Sequence, residues 1–416
     1  MNFLQFAVWG AYLTCMGTYL ATHGLASHIG LFYSIQGIVS IFMPALIGIL
    51  ADRWIPAQKC LGFCHIISGI AMIAAAYYGL TAGDAVQFGP LFTLYTIGVA
   101  FYMPTLAISN SVAYNALEKS GLDTIKHFPP IRVFGTVGFI CSMWAVDLLG
   151  FQPTAAQFAV SGGIGIILGI YSLTLPGCPT SPTSTASFVD KLGLRAFTLF
   201  KDRRMAFFFI FSMLLGVSLQ ITNGFANPFI TSFGDIKIYK GTFGVEHANI
   251  LISLSQVSET LCILLIPFVL RKFGIKKVML IAMFAWVLRF AFFGLGNPGS
   301  GVWLFVLSCI VYGVAFDFFN ISGSLFVDKE TDTSIRSSAQ GLFFLMTNGI
   351  GATVGTLSAQ AIVNHFVYNP QAYGATPEMV AQGWQSAWYV FAAYALVVAV
   401  VFAIVFKYKH NPEAAE

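Results

Sequence analysis

Along the chain, long apolar runs alternate with short clusters of glycine, proline and charge, and each run is about the 20 residues a membrane-spanning helix needs. Divided at those clusters, the sequence predicts twelve helices, beginning near Asn2, His28, Cys60, Pro90, Pro129, Ala156, Met205, His247, Val278, Val302, Ser337 and Gln382. The longest hydrophilic interval runs from Pro176 to Arg204, where Pro, Ser and Thr give way to Lys191, Arg195, Lys201, Arg203 and Arg204. It predicts a six-helix half over 1–175, a basic linker over 176–204 and a second six-helix half over 205–416. The first apolar segment is expected to be a span rather than a cleaved leader, because no basic region precedes it and no small-residue cleavage site stands out.

Composition agrees with this pattern. Of 416 residues, 57% are hydrophobic and 9% charged, against roughly 25% charged in an ordinary soluble domain. A net charge of +4, scattered among apolar runs, argues against a nucleic-acid partner. The seven cysteines lie mostly within apolar segments, where a thiol behaves as a small hydrophobe. Cys60, Cys64 and His65 are followed by no second ligand pair, so no metal is expected.

The positions of the basic residues carry more information than their sum. Arg53, Lys59, Lys119, Lys126, the five in the linker, Arg271, Lys272, Lys276, Lys277, Lys329, Arg336, Lys407 and Lys409 fall on one side of the predicted helices. Only Lys237 and Lys240 fall on the other. The positive-inside rule then predicts that both termini and the linker are cytoplasmic.

An internal repeat supports two related halves. The second helix runs out through Met43-Pro44-Ala45 to Asp52-Arg53 and Lys59, and the eighth through Ile266-Pro267-Phe268 to Arg271-Lys272 and Lys276-Lys277. Each half therefore turns on basic residues between its second and third helices, a symmetry that favours parallel halves with substrate near mid-membrane at their interface. Within this turn, Gly48-Ile49-Leu50-Ala51-Asp52-Arg53 resembles the loop signature of the major facilitator superfamily. Trp54-Ile55-Pro56-Ala57-Gln58-Lys59 stands where that family usually continues with Gly-Arg. The resemblance implies an all-α integral membrane fold of two pseudo-symmetric six-helix halves, with Asp52 and Arg53 as structural charges.

Charges at bilayer depth cost at least about 2.5 to 3.5 kcal/mol each on insertion scales, which makes them functional candidates. Arg132, Glu259, Arg289 and Asp317 qualify, whereas Asp147, at the outer end of the fifth helix, is expected at the interface. Helical spacing groups the candidates with other polar side chains. Arg132, Thr136 and Phe139 fall at i, i+4, i+7; Gln220, Asn223 and Asn227 at i, i+3, i+7; Gln256 and Glu259 at i, i+3; Tyr312, Phe316 and Asn320 at i, i+4, i+8, with Asp317 beside them. Interhelical hydrogen bonding is the plainer explanation for a single amide. It is a poor explanation for Glu259 and Asp317, since an amide would do the same without the charge. Arg289, on a helix without a polar stripe, is expected to be structural, pairing with a carboxylate to hold helices together.

Amides and carboxylates offer paired donors and acceptors, and Phe139, Tyr312 and Phe316 offer flat faces. This chemistry fits a neutral, ringed, hydroxyl-bearing solute better than a phosphorylated one. Because burial disfavours a charged carboxylate and a nearby arginine favours it, changing access or pairing can load and release a proton. Glu259 and Asp317 are thus expected to couple transport to a proton gradient; no sodium site is legible.

The same segments resemble bacterial nucleoside:proton symporters of the major facilitator superfamily. The matching strings include Phe128-Pro129-Pro130-Ile131-Arg132 through Phe139, Phe211 through Gly216, Leu219 through Asn223, Ser255 through Leu261, Tyr312 through Gly323, Ile335 through Gly341 and Met346 through Gly349. The resemblance spans essentially the whole chain. It implies proton-driven import of purine and pyrimidine nucleosides. The chain is expected in the inner membrane of a bacterium, as a monomer with no cofactor besides the proton. The resemblance also implies that Arg132, Thr136, Phe139, Gln220, Asn223, Gln256, Glu259, Tyr312, Phe316 and Asp317 line the nucleoside site. A sugar or glycoside symporter is the alternative within transport, and a non-transporting nucleoside receptor the alternative outside it. An enzyme would need a nucleophile with its base or a metal cluster within the spans, and neither is legible.

Overall fold

A computed structural model describes residues 1–180, 194–332, 335–369 and 376–408. The expected basic residues Lys191 and Lys409 lie outside the described residues, as do the side chains of Asp52, Arg53, Lys126 and Arg195. The described chain is helical, with no strand among the described residues. It forms two compact units, Met1–Leu192 and Gly193–Glu416.

The first unit contains α1 (Asn2–Gly10), α2 (Met16–Thr22), α3 (Ile29–Arg53), α4 (Ala57–Ala82), α5 (Phe88–Tyr102), α6 (Thr105–Lys119), α7 (Thr124–Leu148) and α8 (Ala156–Ser172). The second contains α9 (Arg203–Leu219), α10 (Ile221–Ser232), α11 (Ala248–Leu295), α12 (Val302–Glu330), α13 (Arg336–Phe344), α14 (Ala352–Phe366) and α15 (Pro377–Val405). A π-helical segment, Leu345–Gly351, joins α13 to α14.

Nine stretches among the described residues are long and apolar enough to cross a membrane. The difference from the twelve expected helices has local causes. α11 is continuous by hydrogen bonding, but Gly274 (φ 75°, ψ 164°) divides it into two arms at the basic turn, a conformation open to glycine because it has no Cβ. α8 is shorter than a standard span, and the first apolar segment is interrupted between α1 and α2 by turns over 11–15. Other helix ends follow ordinary chemistry. Asp202 caps α9 by accepting from the Met205 amide at 2.8 Å, and Thr376 caps α15 ahead of Pro377.

Helices pack closely where glycine removes a side chain. α4 meets α8 along Gly62 and Gly69 against Gly162 and Gly169; a Cβ on Gly69 would lie 2.7 Å from the Gly162 carbonyl oxygen. α1 meets α7 the same way, since a Cβ on Gly138 would lie 2.0 Å from the Phe3 carbonyl oxygen. In the second unit, a Cβ on Gly355 would lie 2.1 Å from the Val217 carbonyl oxygen. Such small-residue contacts let dispersion and hydrogen bonding associate helices in a medium as apolar as their side chains. The second arm of α11 packs on α15 differently, through Phe290, Phe293, Trp388 and Phe391.

Candidate functional site

In the first unit, α7 carries Arg132 and Thr136, both half-buried, and buried Phe139. α1 supplies their neighbours. The Arg132 guanidinium lies 3.9 Å from the centre of the Phe6 ring, and Trp9 meets Phe139 edge-on at 6.4 Å between ring centres. From Trp9 a polar chain runs inward: the indole N–H donates to Gln36 Oε1 at 3.1 Å, and Gln36 Nε2 donates to the Tyr95 hydroxyl at 2.8 Å.

A second chain centres on Gln5, which is fully buried. Its Nε2 donates to Thr105 Oγ1 at 2.7 Å, its Oε1 accepts from His65 Nε2 at 2.7 Å, and its carbonyl accepts from the Tyr102 hydroxyl at 2.8 Å. Gln5 therefore joins α1 to α4, α5 and α6. His65, weighed in the sequence only as a neighbour of Cys60 and Cys64, has its place here.

Sequence reasoning missed Gln5, Trp9, Gln36, His65 and Tyr95. The signal for Gln5 and Gln36 was present, since each is an amide inside an apolar run. Asp147, one residue from the end of α7, is 3% exposed and accepts from Gln152 Nε2 at 2.9 Å. The chain turns at Gly150 (φ 70°), which brings Gln152 back to the carboxylate.

In the second unit the candidates gather around Tyr312. Its ring stacks on Phe316, 5.6 Å between centres and 10° between planes, as the i, i+4 spacing on α12 predicts. The Arg289 guanidinium lies 4.4 Å from the centre of the Tyr312 ring; Asp317 follows Phe316 on α12, and Glu259 follows Ser258 on the first arm of α11. Glu259 is half-buried on the first arm of α11 and Asp317 is 5% exposed on α12. The two helices approach closely here because α12 has Gly313 next to Tyr312: a Cβ there would lie 2.5 Å from the Ser258 carbonyl oxygen. Ser258 Oγ also donates to the Ile310 carbonyl.

Arg289 is 2% exposed. In place of the carboxylate partner expected from sequence, its Nη1 donates to the Ser308 carbonyl at 2.8 Å and to Ser255 Oγ at 3.3 Å, and its Nη2 donates to Thr222 Oγ1 at 3.1 Å. Ser308 Oγ returns a bond to the Arg289 carbonyl at 2.9 Å. One guanidinium thus ties the second arm of α11 to its first arm, to α10 and to α12, using the fork of donors that distinguishes arginine from lysine.

Gln220 and Asn223 sit at the discontinuity between α9 and α10, where Asn223 Nδ2 donates to Gln220 Oε1 at 2.9 Å. Asn227, one further step along that stripe, is fully buried. Gln256, Phe316 and Asn320 are half-buried. Among the described residues no group of three His, Cys, Asp or Glu side chains is placed to hold a metal ion.

Comparison with known proteins places this geometry in context. The family model described as nucleoside H+ symporter matches residues 1–411. A xanthosine permease of Escherichia coli (strain K12) is 46% identical over 418 residues, covering 99% of this chain and 96% of the permease. The nucleoside permease NupG of the same organism is 46% identical over 414 residues, covering 99% and 95%. A crystal structure of a mutant of the nucleoside transporter NupG superposes with a TM-score of 0.90 at 44% identity, covering 98% of each chain.

Proposed function

This chain belongs to the nucleoside H+ symporter family, and from that membership we propose that it imports purine and pyrimidine nucleosides together with protons by alternating access. It is a multi-pass membrane transporter of the major facilitator type and not an enzyme. The observation that carries the mechanism is the Tyr312–Phe316 stack beside the Arg289 guanidinium, with Asp317 on the same helix and Glu259 on the helix packed against it at Gly313. Stacked rings suit a nucleobase, and two carboxylates suit the exchange of a proton.

In this reading Arg132, Thr136 and Phe139 in the first unit, and Gln220, Asn223, Gln256, Glu259, Tyr312, Phe316, Asp317 and Asn320 in the second, contact the nucleoside. Glu259 and Asp317 also couple its movement to protons. Proton binding at either carboxylate removes a negative charge beside Tyr312, so the protonated and unprotonated forms differ in how they bind substrate. No cofactor is required besides the proton. The protein works as a monomer in the inner membrane of a bacterium, with both termini cytoplasmic, as the excess of basic residues on one side supports.

The test is uptake of labelled uridine and adenosine into transport-deficient bacterial cells. Accumulation is expected to collapse when an uncoupler dissipates the proton gradient, and uptake unchanged by the uncoupler would overturn coupling. Ribose or a disaccharide competing as strongly as adenosine would overturn the nucleoside assignment in favour of a sugar.

A further inference from the structure

An apolar groove of about 600 Å³ lies on the second unit between the second arm of α11 and α12. Leu280, Ile281, Phe284 and Leu288 line it from α11, and Val311 and Val314 from α12; Lys277 is the one charged residue in its lining. Phe284 is 42% exposed and Leu288 47% exposed, so the groove opens away from the packed interior. On a helix that crosses a membrane, an open furrow of this kind faces hydrocarbon.

Its length and charge identify an occupant. From Lys277 to Leu288 an α-helix rises about 16 Å, at 1.5 Å per residue. That is about half of a ~30 Å hydrocarbon core, the depth of one leaflet. The cation stands at one end only, on the side of the Gly274 turn. Two of its neighbours there make contacts of their own: the Lys276 ammonium donates to the Ala403 carbonyl at 3.1 Å, and Lys272 lies over the ring of Phe273, itself a lining residue of the groove. Lys277 is exposed and borders the groove. An apolar trough one leaflet deep with a cation at its mouth complements an acyl chain that ends in a negative headgroup.

We propose that this groove binds one acyl chain of an anionic phospholipid, with the lipid phosphate held against Lys277. The chain lies against the same helix pair that carries Arg289 and Tyr312, whose sequence neighbours Leu288 and Val311 line the groove. This site takes lipid from the bilayer and is separate from the nucleoside contacts proposed above.

Native mass spectrometry of the full chain in detergent tests the proposal, with phosphatidylglycerol and phosphatidylcholine of identical acyl chains added in equal amounts. Phosphatidylglycerol is expected to be retained in preference to phosphatidylcholine. Lys277→Gln should cut the retained adduct at least about fivefold, the effect of one basic residue near an anionic headgroup, while Lys277→Arg keeps it. Val314→Trp, which fills the apolar floor, should reduce retention of both lipids. Lys240→Gln, expected on the opposite side, removes the same charge and should leave retention unchanged. Equal retention of the two lipids, or an undiminished adduct on Lys277→Gln or on Val314→Trp, would overturn the proposal. So would an equal loss on Lys240→Gln.

Discussion

Each unit buries a polar cluster among its helices, but the two are chemically unlike. The first unit uses amides, hydroxyls and an imidazole, in one chain centred on Gln5 and another through Gln36. The second carries formal charges: Arg289 lies over the Tyr312 ring, Asp317 is on the same helix, and Glu259 is on the helix packed against it at Gly313. Hydrogen bonds between neutral groups can hold helices in the bilayer for about 0.6 to 2 kcal/mol each, and they hold them in the same way whether or not a proton is delivered. A carboxylate near an arginine changes its interactions when it takes up a proton. On the function proposed above, the first cluster supplies shape and the second the response to the proton gradient.

Removing a carboxylate should have the largest effect on that contrast. Asp317→Asn and Glu259→Gln are each expected to lower proton-driven nucleoside accumulation at least tenfold in liposomes with an imposed pH gradient. If both variants accumulate like wild type, the second cluster has no special part in coupling.

Next in size is Arg289. Arg289→Met leaves the Ser308 carbonyl and the Ser255 and Thr222 hydroxyls without their donor, and each buried group so stranded costs about 1 to 3 kcal/mol. Thermal unfolding in detergent should shift down by several degrees. Arg289→Lys should recover only part of the loss, because an ammonium cannot reproduce the planar fork. Full recovery by lysine would show that charge alone is what Arg289 supplies.

The smallest effect is expected in the neutral cluster. Gln5→Leu removes the side-chain bonds to Thr105 and His65, so stability should fall by about 1 to 3 kcal/mol. The number of protons moved per nucleoside, measured by reversal potential in liposomes, should stay unchanged. A changed ratio would erase the division of labour between the clusters.

How much of this was legible beforehand depends on the kind of signal. Glu259, Asp317, Arg132 and Arg289 stood out because a charge inside an apolar run is conspicuous from its immediate neighbours. The Tyr312–Phe316 stack was legible too, because helical spacing alone brings i and i+4 together. Gln5 was not singled out: its partners His65 and Thr105 lie 60 and 100 positions away. Arg289 shows both sides at once. Its burial could be anticipated, but its partners on Thr222, Ser255 and Ser308 could not, because each is an ordinary hydroxyl residue within its own helix.

By itself, then, the order of residues determined the helical membrane class, the positions of most spans, the basic turn in each half and the identity of the membrane-depth charges. These follow from local hydrophobicity and period, which any stretch of about 20 residues displays. Only the tertiary structure decided that Arg289 bonds to hydroxyls and a carbonyl, that Gln5 joins four helices, that Asp147 is buried against Gln152 and that Lys277 borders a groove. Those depend on which helix surfaces meet, and glycines such as Gly69, Gly138 and Gly313 set how closely they do so.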